Sequence, residues 1–363
     1  MAIRRGLGVF VTVLTLCATA IGLSAQNSSN RSATPVDPID AILRAFESYS
    51  IVALGEGPHG NEQGLAFRLR LIRDRRFAAT VNDIVVESGS AGYQDVVDRY
   101  MQGEDVPTNT MRDVFENTVT TTPVWDRPMY AEFFRAVRAM NRVLPRERQV
   151  RVLLGDPAID WNTVKTRDDY LTLLRQRDSH PADLIRREVL AKNRHALVIY
   201  GDGHFQAKTE RPALSMAALL EAAGARVFTI TTTFADLSSF QPDVTSWRIP
   251  AFALLRGTRL GAVPYERFFG PPPPVPFFQA NPRIEDHFDA LVYLGPVSSM
   301  TMGPLPYPRC AEPAYVEMRV TRMVLSGMPA NVADRLNSEC AAARRKLQTT
   351  ALPIQSKAWI AHS

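Results

Sequence analysis

Residues 51–60 read Ile51-Val52-Ala53-Leu54-Gly55-Glu56-Gly57-Pro58-His59-Gly60. Four apolar residues in a row have the length and composition of a buried strand. The run breaks at Gly55 and delivers Glu56 and His59 into a turn. A carboxylate and an imidazole three residues apart, just past a strand end, form a candidate catalytic base with its orienting partner.

Six more short apolar segments follow: Ile84–Val86, Val150–Leu154, Ala196–Tyr200, Arg226–Thr231, Phe252–Leu255 and Ala290–Leu294. Between them apolar residues recur at helical spacing. Leu65, Leu69 and Ile72 share one face, as do Val96, Val97 and Tyr100, and Phe133, Phe134, Val137 and Met140. Asp168–Leu190 reads as one or two helices interrupted near Pro181. Ser215–Ala223 reads as another, ended by Gly224, and Ala330–Leu347 as a last one. Strands alternating with helices predict an α/β fold, a mainly parallel sheet flanked by helices. Gly89–Leu144 is then a helical insertion, and residues 38–301 the α/β domain. Residues 302–363, with Pro304, Pro306 and Pro308, form a proline-rich C-terminal extension.

Outside that domain the chain reads differently. Arg4 and Arg5, an apolar run from Val11 to Leu23, and Ser24-Ala25 have the pattern of a secretory signal peptide over residues 1–25. The run is too short for a spanning helix, so no stable membrane insertion is expected after its removal. Export to a periplasmic or extracellular compartment follows. Residues 26–37, rich in Ser and Asn, read as a disordered leader. In an oxidising compartment Cys310 and Cys340 are candidates for a disulfide. Gly270–Pro282, with four consecutive prolines, reads as a surface strap. The formal charge is +5. Its basic residues are scattered over helices and form no nucleic-acid footprint, so a small-molecule partner is expected.

The chemistry collects at strand ends. Glu56 and His59 follow the first strand, Glu87 the second, Asp156 the third, and Asp202 and His204 the fourth. In a parallel sheet these ends share one edge, where open α/β folds bind ligands. Asp156 also reads as an ordinary helix cap. Glu87 ends an apolar run and needs a partner if buried, with Arg68 or Arg70 in reach. His180 and His195 read as incidental; His287, before the last strand, is ambiguous, with the opposite edge as one reading. No Gly-x-Ser-x-Gly elbow, His-Glu-x-x-His helix, phosphate loop or dinucleotide fingerprint occurs. That favours attack by an activated water over a covalent intermediate.

The stretch LGEGPHGNEQGLAFRLRLIRD followed by IVVESG resembles the erythromycin esterase-like family, related to ChaN-type proteins. VIYGDGHFQ and FDALVYLGPVSSMT resemble its later strands. The resemblance implies functional roles for Glu56, His59, Arg68 and Glu87, with His204 from the fourth strand, and a reaction without metal or other cofactor. Esterases of the family tend to carry His-Asn-x-His where this chain has Gly201-Asp202-Gly203-His204.

The expected activity is therefore hydrolysis of an ester or lactone. His59 draws a proton from water, Glu56 or Glu87 holds its imidazole, Arg68 orients a carboxylate or the oxyanion, and His204 serves the leaving alkoxide. Asp156, Asp202 and Tyr200 are candidate substrate contacts. Tyr93, Trp125, Tyr130, Phe277 and Phe278 are candidate pocket aromatics. Two alternatives use the same residues. One places zinc or manganese on His59, His204, Glu56 and Glu87. The other holds haem through Tyr200 or His204.

Overall fold

The computed structural model describes residues 31–206, 215–269 and 282–350. The expected signal peptide, the first residues of the leader (26–30) and most of the proline strap, including Phe277 and Phe278, lie outside them.

A seven-stranded sheet runs through the molecule in the order β3-β2-β4-β1-β5-β7-β6. Its strands are β1 (Ile51–Gly55), β2 (Asp83–Ser90), β3 (Arg151–Asp156), β4 (Ala196–Tyr200), β5 (Val227–Thr233), β6 (Ala251–Leu254) and β7 (Ala290–Tyr293). All pairings are parallel except that of β6 with β7. The seven expected strands are all present. β2 runs on to Ser90 with a register shift after Val86, so Glu87 lies within the strand.

The apolar runs are continuous because both sheet faces are covered. Val52, Leu54, Ile84, Val86, Leu197 and Ile199 pack into one core. Ile51, Ala53, Val85, Ala196 and Val198 point the other way into a second. The first core is covered by α1 (Pro38–Ala45), α2 (Glu62–Arg73) and the insertion between β2 and β3. That insertion holds α3 (Gln94–Met101), α4 (Thr108–Glu116) and α5 (Pro128–Asn141). The second core is covered by α7 (Ser179–Glu188) and α8 (Met216–Ala222), through Ile185, Met216 and Leu220. Truncating any of these central aliphatics to Ala is worth about 2–5 kcal/mol.

Two expectations are corrected. The helical stretch around Asp168–Leu190 breaks over residues 175–178, between α6 (Arg167–Leu174) and α7, and not at Pro181. Pro181 sits in the first turn of α7, where its missing N–H costs nothing. Part of the expected leader belongs to the fold. Val36 exchanges backbone hydrogen bonds of 2.9 and 3.0 Å with Phe252, and Ala33 exchanges two with the Gln241 side chain at 2.7 and 2.8 Å. β6 is an edge strand, and Val36 satisfies part of its free edge. The C-terminal extension packs against the rest of the chain. After α9 (Pro313–Ser326), the Cys310–Cys340 disulfide staples α10 (Ala330–Thr350) to residues 307–310. Residues 307–310 and α9 dock on the insertion through Arg309–Glu116, Arg319–Asp126 and Arg322.

Among the described residues no helix is long and apolar enough to cross a membrane.

Candidate active site

β1 ends in a tight turn that only glycine permits at two places. Gly57 and Gly60 have φ of +63° and +81°, the left-handed region. Asn61 then caps α2, accepting the Gly64 N–H at 2.5 Å through its side chain. Its amide donates to the carbonyls of Glu56 (2.9 Å) and Pro58 (2.7 Å), which pins the turn shut. In this way Glu56 and His59 are folded back on each other, with His59 Nδ1 at 2.8 Å from Glu56 Oε2. A carboxylate can only accept, so Nδ1 carries the proton and Nε2 is left for other chemistry. From α2, Arg68 Nη2 lies 3.3 Å from Glu56 Oε1. The Tyr130 hydroxyl accepts the Gly60 N–H at 3.0 Å and reaches Glu56 Oε2 at 3.4 Å. Trp125 packs against the His59 ring at 4.7 Å between centroids.

Glu87 faces this pair from β2. Its Oε2 accepts the Gly201 N–H at 2.8 Å and lies 3.9 Å from His59 Nε2. Its Oε1 takes Arg177 and lies 3.5 Å from His204 Nε2. His204 Nδ1 is held by Asp178 at 2.8 Å, and the Met216 N–H donates to the same carboxylate oxygen. Glu56, His59, Arg68, Glu87 and His204 therefore form one contiguous cluster at the C-terminal edge of the sheet. The partner of Glu87 is Arg177, neither Arg68 nor Arg70.

The expected substrate contacts stand behind the cluster. Asp156, fully buried, accepts the Val119 N–H at 2.6 Å and Arg177 Nε at 3.2 Å. Asp202 accepts the N–H groups of Gly57 (2.8 Å) and Thr232 (3.1 Å), tying the β1 turn to β4 and β5. A Cβ on Gly55 would stand 2.6 Å from Asp202 Cγ, so glycine is required there. The buried Tyr200 hydroxyl lies where a Cβ of residue 155 would be and has no hydrogen-bond partner among the described residues. Gly201 matters for a similar reason. A Cβ there would stand 3.0 Å from His59 Nε2, so the small residue leaves that nitrogen clear.

Burial and charge set the protonation states. Burial raises Glu56, but Arg68 and the hydrogen bond from His59 outweigh it and hold the carboxyl below its ordinary value. Burial likewise opposes ionisation of Glu87, yet His204 and Arg177 drive it well below the usual range. For His59, burial lowers and the two glutamates raise, with a net rise. For His204 the same balance, against Glu87 and Asp178, lifts it to about 10. Burial pushes Asp156 and Asp202 up to about 6. His59 keeps 32 % of its side-chain surface exposed against 3 % for Glu87, so a reactant from solvent meets His59 first.

Neither cofactor alternative fits these residues. Each glutamate already contacts a guanidinium, and the oxygens a metal would need are taken by Arg68, His59, Arg177 and the Gly201 N–H. Among the described residues no three His, Cys, Asp or Glu are arranged to hold an ion. An axial haem ligand needs a free, accessible atom. Tyr200 is sealed against Gly155, and both His204 nitrogens face carboxylates.

Sequence reasoning missed Arg177, Asp178, Asn61 and the pairing of Tyr130 with Glu56. Asn61 was open to detection as a helix cap. Arg177 and Asp178 carry no local signal, since they come from the unexpected break between α6 and α7. Three larger cavities, of about 600, 460 and 470 Å³, lie outside the cluster. The third shares Trp125 and Arg127 with its surroundings.

No protein-family model matches the sequence, and a search among curated proteins finds no match. Solved structures give distant likenesses. A Bacillus cereus protein aligns at 15% identity over 76% of this chain and 96% of its own, with a TM-score of 0.49. A succinoglycan biosynthesis protein aligns at 10% identity over 81% of this chain and 100% of its own, TM-score 0.48. ChaN of Campylobacter jejuni, described with cofacial heme binding, aligns at 11% identity over 55% of this chain and 88% of its own, TM-score 0.37. At these values none bears on the activity of this chain.

Proposed function

We propose that the protein is an exported hydrolase that cleaves an ester or lactone with a water activated by His59. The observation that carries this reading is the Glu56–His59 pair. Nδ1 is anchored at 2.8 Å on a carboxylate that is itself clamped by Arg68. Nε2 makes no hydrogen bond among the described residues, and the His59 side chain keeps 32 % of its surface exposed. His59 Nε2 takes a proton as the water oxygen bonds to the carbonyl carbon. The tetrahedral oxyanion is stabilised by the fixed positive charge of Arg177 and His204. Collapse breaks the carbon–oxygen bond, and the leaving alkoxide recovers a proton from His59 Nε2 or from His204. Products are an acid and an alcohol, with no redox change.

Two roles differ from those first expected. Arg68, buried against Glu56, is a positioning residue, and Arg177 takes its place beside the oxyanion. Asp156 and Asp202 shape the site through Arg177 and the Gly57 turn. Because His59 is raised and must be neutral to act, activity rises with pH through its titration and falls as His204 loses its proton near 10. The disulfide is in keeping with export to an oxidising compartment.

The test is a panel of aryl esters, aliphatic esters and macrolactones assayed with the mature protein, with and without chelator. His59→Ala should lower turnover on any accepted substrate by about 10²- to 10⁴-fold while circular dichroism stays unchanged. Full turnover in that variant overturns the proposal.

A further inference from the structure

The 470 Å³ cleft lies between α4, α5 and residues 306–309, and its lining is largely apolar, including Met111, Phe115, Ala131 and Pro306. Its volume is in the range of small-molecule sites. Its lining includes Trp125 and Arg127, and these same side chains touch the catalytic turn. Trp125 packs on His59, and Arg127 lies over Gly60, where a Cβ would stand 2.9 Å from its Cδ. Trp125 is 1% exposed and its indole N–H has no partner; Arg127 donates one Nη1–H to the Gly303 carbonyl, while its Nε–H, buried against Gly60, has none. Buried donors without acceptors are rare and expensive.

The charges lining the cleft do not balance. Both Asp126 oxygens are taken by Arg319 and Tyr315, and both Glu116 oxygens by Arg309. Arg127 and Arg135 face no carboxylate within ion-pair distance among the described residues. The surplus is positive and is carried by Arg127 and Arg135. We propose that this cleft binds an aliphatic carboxylate, its chain along the apolar lining and its carboxylate at the guanidinium of Arg127. The inference deepens the hydrolase reading, because such an acid is the acyl product of an aliphatic ester. Binding itself does not depend on turnover.

Decanoate and decanol are the probes, titrated by calorimetry and by tryptophan fluorescence against the mature protein. Decanoate should bind saturably and about tenfold tighter than decanol, the effect of one charge-assisted hydrogen bond. Ala131→Trp, which fills the cleft, should bind neither. Arg127→Gln should bind both equally, and Arg127→Lys should keep the preference. If Arg127→Gln loses decanol too, the Lys variant decides: preference kept supports the site, preference lost overturns it. His59→Ala should bind decanoate like the parent. That separates the two ideas, since decanoate binding without any ester turnover leaves the cleft standing and the hydrolase reading refuted. No saturable decanoate binding, equal affinity for decanol, or unchanged binding in folded Ala131→Trp overturns the inference.

Discussion

Asp178→Asn is the sharpest probe of the charge network, because asparagine keeps an acceptor for His204 Nδ1 and the Met216 N–H and removes only the charge. In the folded protein His204 is lifted from its ordinary 6.5 to about 10, burial opposing and Glu87 and Asp178 outweighing it. The unfolded chain releases this proton near 6.5, so unfolding above that value releases a proton. The stabilisation is fully present below 6.5 and is lost as pH rises through about 10. At 1.36 kcal/mol per pH unit the interval is worth roughly 4–5 kcal/mol. Glu87 is the larger favourable influence, at 3.5 Å from Nε2, so Asp178→Asn should remove about 1–2 kcal/mol of it at pH 7. The deficit should shrink towards pH 10, where His204 is losing its proton in both proteins. Urea unfolding at pH 6, 7, 8.5 and 10 measures this, in a His59→Ala background because His59 is shifted in the same direction. Proton NMR of the His204 ring gives the titration directly. A deficit that stays constant from pH 7 to 10, or a His204 signal titrating near 6.5 in the parent, refutes the reasoning.

Three further outcomes follow from burial and contact. Arg177→Met leaves Glu87 and Asp156 buried without their shared cation, and chemical denaturation should show a loss of about 3–5 kcal/mol. Tyr200→Phe removes a buried hydroxyl with no partner and should be neutral or slightly stabilising with activity retained, whereas Gly155→Ala drives a methyl into that hydroxyl. The second variant should lose at least about 1–3 kcal/mol in thermal unfolding, as overpacked cores do. Cys310→Ser with Cys340→Ser opens a loop with a sequence separation of 30 and should lower stability by about 3–4 kcal/mol, read as a lower urea midpoint that reductant reproduces in the parent.

The fold was legible because its strands are buried on both faces. A continuous apolar run such as Ile51–Leu54 or Ala196–Tyr200 is a strong local signal, and alternation with helices points to a parallel sheet. The edge strand β6 runs antiparallel to β7, which an apolar run does not encode. The convergence of the candidate residues was legible for the same reason: strand ends share an edge, so Glu56, His59, Glu87 and His204 come together although up to 148 positions apart. What converged with them was not legible. Arg177 and Asp178 reach the cluster because the chain breaks between α6 and α7 over residues 175–178, ahead of Pro181, and nothing local announces that.

The sequence by itself determined the strands, the edge and the His59 turn, since these rest on composition, glycine conformations and spacing within a few residues. Only the tertiary structure decided which charge neutralises which. Arg68 serves Glu56 and Arg177 serves Glu87, and the distinction depends on where a helix break and a strand end meet in space. The same holds for Asp156, Asp202 and Tyr200, which the sequence offers at the active edge and packing turns into supports. Burial, a property of the assembled core and of no single residue, makes that difference.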